Sequence, residues 1–139
     1  AIGPAREAIV VTTPEIASVR DADRVIGLLE ANGIQKISLL VNRLRPEMVK
    51  SNDMMSVSDV KEILAIPLIG VVPEDECVII STNRGEPLVL EKKLSLPGVA
   101  FENTAYRLDG QNVDFIDFES YSKGPLKRLK NFFLGSSTT

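Results

Sequence analysis

The chain has 139 residues, 44% hydrophobic and 25% charged, with a net charge of −3; that is enough for one domain with a real core, and it gives no electrostatic reason to seek nucleic acid. With no histidine and a single cysteine, Cys77, Ser-His and Cys-His catalysis, histidine metal sites, a cysteine zinc cluster and an internal disulfide are all excluded within this chain. No stretch approaches the ~18 apolar residues of a membrane-spanning helix.

Residues 7–13, EAIVVTT, are a β-branched apolar run of the kind a strand buried on both faces would have. Pro14 suits a first helical position with Thr13 as N-cap. Ile16, Val19, Ala22, Ile26 and Leu29 then recur at helical spacing until Gly33 ends the helix. KISLLVN, 36–42, predicts a second buried strand. After a polar loop, Ser56 can cap a helix to about Leu64 with Val60, Ile63 and Leu64 facing inward. PLIGVV, 67–72, predicts a third strand, followed by a short helix around Cys77–Asn83 that Gly85 and Pro87 stop. PLVL, 87–90, reads as a short fourth strand, and a helix near Pro97–Leu108 closes the body at residue 108. Residues 109–123 break the pattern, carry four acidic side chains, and read as a tether with a brief edge strand at VDFIDF. Strand and helix in alternation predict right-handed βαβ units, hence an α/β fold with a parallel sheet.

Ligands of open parallel sheets sit beyond the carboxyl ends of the strands. Three such ends are legible: Thr12-Thr13-Pro14-Glu15, Asn42-Arg43 and Pro73-Glu74-Asp75. All are polar, as ordinary loops also are, so position alone does not separate a site from a loop. On the first helix, Asp21 and Arg24 are three apart and can pair; a solvated charged face is the plain reading. Met48, Met54 and Met55 read as loop or core filler, and Cys77 as a buried, inert thiol.

The segment GPLKRLKNFFLG, 124–135, is different. On a helix Leu126, Leu129, Phe132 and Phe133 fall within an arc of roughly 120°, opposite Lys127, Arg128 and Lys130, with Leu134 out of place among the polar residues. An apolar aromatic face backed by cations suits a helix lying in a membrane interface over anionic lipid. A groove on a partner protein is the alternative. Residues 136–139 read as a disordered tail.

The runs AIVVTTPEIASVRDADRVIGLLEANGI, LLVNRLRPEMV, DMMSVSDVKEIL, IPLIGVVPED, STNRGEPLVL and the terminal GPLKRLKNFFLG resemble, in order, the C-terminal half of the MinD/ParA family of deviant-Walker P-loop ATPases. The likeness is to its septum-site-determining branch, in wording nearest to cyanobacterial and chloroplast members. No G-x-x-x-x-G-K-[ST] occurs, so the chain reads as a fragment beginning after the second switch, without catalytic residues and inactive by itself. The resemblance implies ATP and Mg²⁺ as cofactors of the whole enzyme, ATP-dependent homodimerisation, and reversible membrane binding through Leu126 to Leu134. It implies that Asn42 reads adenine edges, that Arg43 lies against the ring, and that Pro73, Glu74 and Asp75 close the pocket. An amide suits adenine because it offers a donor and an acceptor together. It places MinC-like and MinE-like regulators near Arg20, Asp21, Asp23 and Arg24. The expected location is the inner membrane, on the cytoplasmic face of a bacterium or the stromal face of a chloroplast envelope, with a soluble pool. The rival readings are a partition or flagellar-placement ATPase of the same family and a non-catalytic, membrane-tethered adaptor.

Overall fold

The computed structural model describes residues 3–118, and the 124–135 segment with its expected membrane-facing residues lies outside them. Three parallel strands form a sheet in the order β1 (Glu7–Thr12), β2 (Lys36–Leu44), β3 (Leu68–Pro73). Val10 stands opposite Leu39, and Val41 opposite Val71. Helix α1 (Ile16–Ala31) joins β1 to β2, and α2 (Pro46–Lys50) and α3 (Val57–Leu64) join β2 to β3. After β3 come α4 (Glu76–Arg84), a 3-10 turn at Leu88–Leu90, and α5 (Leu96–Leu108).

Side-chain alternation along β2 divides the core. Leu39 and Val41 face one way, with Val10, and meet Val19, Ala22, Ile26 and Leu29 of α1 and Val60 and Leu64 of α3. Leu40 faces the other way and meets Val72 and Ala100 of α5. There Gly70 is required, because a Cβ on it would collide with the Oγ1 of Thr104 on α5. Each fully buried large side chain contributes about 1.5–3 kcal/mol against remaining exposed.

Helix ends follow local chemistry. Ser56 and Asp59 form a reciprocal capping box at α3: Ser56 Oγ accepts from the Asp59 N–H at 3.1 Å, and Asp59 Oδ2 accepts from the Ser56 N–H at 2.9 Å. Gly33 and Gly85 take the left-handed conformation that ends α1 and α4. The Ser56 hydroxyl, and then its backbone N–H, hold the Asp59 carboxyl below its ordinary value of 3.8. A carboxylate depressed on folding stabilises the fold above its ordinary value, and that share is lost as pH falls through the lowered one. Asp59→Asn should therefore flatten the acid limb of a stability-versus-pH curve measured by urea midpoints. An unchanged acid limb would show that the box adds nothing.

Several expectations are corrected. Helix α1 starts at Ile16, not Pro14: Thr13 spends its hydroxyl on Ser18 Oγ at 2.8 Å, and Glu15 is an N-cap without a side-chain bond. Ile16 and Ile63 are exposed. Among the described residues strand β1 is not buried on both faces: Val10 and Thr12 are buried, while Ile9 and Val11 on the other face are exposed. Residues 87–90 make a 3-10 turn rather than a strand; Pro87 has no N–H to enter a ladder, and only Leu88 of the turn is buried. VDFIDF forms no strand, and Phe118 is buried between Leu44 and Val71, so the body continues past residue 108. The supposed polar loop contains α2.

Candidate functional site

The pairing of β2 with β3 shifts between Val41 and Leu44, because Val41 stands opposite Val71 while Leu44 stands opposite Pro73. Two residues, Asn42 and Arg43, thus span what Val72 alone spans on β3. A bulge of this kind bends the strand and re-aims its side chains. Arg43 adopts φ +58°, a left-handed conformation unusual for a residue with a Cβ. Its N–H donates to Asn42 Oδ1 at 2.9 Å, a local bond that supports the turn.

Glu74 meets two arginines. Arg43 Nη2 and Nε donate to Glu74 Oε1 at 2.9 and 3.2 Å, and Arg45 Nε lies 3.3 Å from Glu74 Oε2. Arg45 also donates to Glu47 Oε1 at 3.0 Å. These side chains are 35–65% exposed, so each pair is worth at most about 1 kcal/mol. The cluster's importance is positional. It is fixed from below by the Glu74 N–H donating to the Leu44 carbonyl at 2.9 Å.

Beyond the strand ends lies an open groove of about 660 Å³. Arg43, Arg45 and Glu74 form one wall, Pro14 and Ile16 another, and Met48, Met54 and Met55 supply much of the apolar lining. The methionines were expected as filler; Met54 and Met55 do pack on the core clusters, and they line the groove as well. Of the strand-end residues singled out in the sequence, Pro14, Glu15, Arg43 and Glu74 line the groove, and Thr12, Thr13, Asn42, Pro73 and Asp75 do not. Arg43 takes one lone pair of the Asn42 amide oxygen, and among the described residues the NH₂ and the second lone pair are left for a ligand. Pro73 is buried in the strand pairing, and Asp75 caps α4 by accepting the Cys77 N–H at 2.9 Å. In the free chain both are therefore structural. Cys77 is half-buried rather than buried; burial, and then Asp75, push its thiol pKa up, which keeps it a poor nucleophile.

Arg20, Asp21, Asp23 and Arg24 lie on the exposed side of α1 and are not among the groove-lining residues. Asp21 and Arg24 pair at 3.6 Å, as their spacing predicts.

No family model matches the chain. It is 83% identical over 138 residues to a putative septum site-determining protein MinD of Guillardia theta, covering 99% of this chain and 51% of that protein. It is 61% identical over 135 residues to septum site-determining protein MinD of a Synechocystis species, covering 97% of this chain and 51% of that one. By sequence and by fold the chain belongs with the MinD proteins. It spans about half the length of the curated relatives it matches. Among solved structures, MinD from an Aquifex aeolicus MinC:MinD cell division protein complex superposes with a TM-score of 0.79 at 45% identity, over 82% of this chain and 47% of that one. The Pyrococcus horikoshii MinD complexed with Mg-ADP does so at 0.67 and 30% identity, over 76% of this chain and 42% of that one. The fold is thus the parallel α/β fold of the MinD/ParA P-loop ATPases.

Proposed function

We propose that this chain supplies the base-recognising, partner-facing and membrane-anchoring part of a MinD-type ATPase that places the site of cell or chloroplast division. The observation that carries this is Arg43 bonded to Glu74 on the wall of a groove at the carboxyl ends of parallel strands, with Asn42 next to it in the bulge. A MinD relative holds Mg-ADP, and strand ends are where such sheets bind nucleotides.

In this reading Asn42 offers its amide to an adenine edge, and Arg43, steadied by Glu74, lies against the ring. Pro73 and Asp75 set the turn that closes the base side. The residues present fit the base end of ATP. No phosphate loop occurs in the sequence, so phosphate and Mg²⁺ ligands must come from outside these 139 residues. The bound Mg²⁺ would supply charge neutralisation for phosphoryl transfer. The exposed charges Arg20 to Arg24 on α1 meet a MinC-like or MinE-like regulator, in keeping with a relative solved in complex with MinC. ATP-driven homodimerisation joins two copies of the 124–135 segment, each binding the inner membrane weakly. Linking two such sites raises avidity by about 10²–10⁴, so the protein is membrane-bound as a dimer and returns to a soluble pool after hydrolysis.

Asn42→Ala, in a chain extended to the full length of its relatives, should weaken ATP binding by about 1–3 kcal/mol, the cost of leaving a buried base edge unpaired. Equilibrium dialysis measures it, and unchanged affinity would make Asn42 an ordinary bulge residue. The 139-residue chain alone should show no Mg²⁺-dependent ATP turnover in a phosphate-release assay, because positioning of the phosphates is most of the catalysis in this chemistry. Measurable turnover would overturn the division of labour proposed here.

A further inference from the structure

Arg107, in the last turn of α5, engages three backbone carbonyls. Its Nη1 donates to Ile69 O of β3 at 3.0 Å, Nε to Val113 O at 2.8 Å and Nη2 to Asp114 O at 2.8 Å. The Phe115 ring centroid lies 3.8 Å from its guanidinium carbon. Among the described residues strand β3 pairs with β2 alone, and here an arginine takes up a carbonyl of β3 and ties residues 113–114 beside it. Further along, Ile116 packs against both the Leu40–Val72 and the Leu44–Val71 clusters, and Phe118 is buried against Leu44 and Val71. Leu44 is the residue between Arg43 and Arg45, and its carbonyl holds the Glu74 N–H.

We propose that residues 113–118 form a latched strap, with Arg107 as the latch, and that Phe118 couples its seating to the Arg43–Glu74–Arg45 cluster through Leu44. This rests on reading that cluster as the base side of a nucleotide site, and it names a regulation of that site. With the strap seated, Leu44 is packed from below, and the two arginines and Glu74 share a fixed base. With the strap released, Leu44 loses that cover and the cluster loosens. Coupling of this kind is reciprocal: a nucleotide that needs the arginines in place favours the seated strap, and thereby fixes the point from which the chain runs on toward its basic, aromatic end.

The latch is tested on the 139-residue chain with Arg107→Lys, which keeps the charge and loses the planar fork. Native-state chymotrypsin cleavage after Phe118 should accelerate about tenfold, as expected for losing charge-assisted hydrogen bonds. Exchange of the Glu74 amide proton, followed by NMR, should accelerate with it, while the Leu39 and Val41 amides keep their wild-type rates. Phe118→Ala should speed Glu74 exchange with the latch intact. If Leu39 and Val41 lose protection together with the strap, there is no independently opening strap. If cleavage rises and Glu74 is unmoved in both variants, the coupling does not exist. In a chain extended to its relatives' length, saturating MgATP should slow strap cleavage about fivefold or more. ATP that binds without slowing it overturns the regulation, whereas absence of ATP binding overturns the nucleotide reading instead.

Discussion

Phe133→Glu, in a full-length protein with ATP present, is expected to abolish co-sedimentation with anionic liposomes at both low and high salt. The change puts a carboxylate in the middle of the proposed apolar face of residues 124–135, where it must leave the lipid or be neutralised at a cost of several kcal/mol. That exceeds what one copy of the segment has to spare. Four large apolar side chains contribute at most about 1.5–3 kcal/mol each, and interfacial burial is only partial. The three cations, Lys127, Arg128 and Lys130, add about 1 kcal/mol each near an anionic surface. Against this stands the ordering of a 12-residue segment, which is at the lower end of the ~12–15 residues of a marginal helix in water. Lys127→Glu leaves the apolar face intact, so its loss should be smaller and should fade as salt rises. Neutral liposomes should bind the wild type less well. If both variants sediment like wild type, the segment serves a protein partner; if Phe133→Glu lowers the unfolding midpoint, the segment belongs to the folded core.

Leu39→Ala should cost about 2–5 kcal/mol of unfolding free energy, the range for emptying a well-packed site that cannot collapse. Leu39 is 0% exposed at the centre of the middle strand, packed in the cluster that α1 and α3 complete. Val11→Ala, in the neighbouring strand and an equally apolar run, should change stability by no more than about 0.5 kcal/mol in this chain, because Val11 is 57% exposed. Urea titration of the two variants separates them. Comparable losses would mean that Val11 is covered in solution, and a small loss for Leu39 would contradict the central position of β2.

The contrast between these two residues shows where reading the chain residue by residue succeeds and where it stops. Both sit in short β-branched runs, and nothing within either run says which strand will have neighbours on both sides. That depends on pairing between segments some 29 residues apart, and among the described residues it leaves β1 at the edge, with Ile9 and Val11 uncovered. The same blindness applies to the site. The polar strand ends are legible because they follow directly from the apolar runs. The bond of Arg43 to Glu74, 31 positions away, and the clamp of Arg107 on Ile69, 38 positions away, are not. The bulge that turns Arg43 into the left-handed region is equally hidden, since it exists only in the register between two strands.

What the sequence by itself determined was local in its physics. Helical spacing placed Val19, Ala22, Ile26 and Leu29 on one buried face. Ser56 with Asp59, and the glycines at 33 and 85, set helix ends through bonds and backbone angles reaching only a few residues. Alternation of strand and helix fixed the handed, parallel arrangement. Only the tertiary structure decided which apolar faces are covered, that PLVL turns instead of pairing, and that the acidic stretch through Phe118 is packed rather than loose. The reason is that burial and charge pairing depend on the distance between side chains in space. Chain position bounds that distance only for near neighbours, and for all others it is settled when the sheet and its helices close on one another.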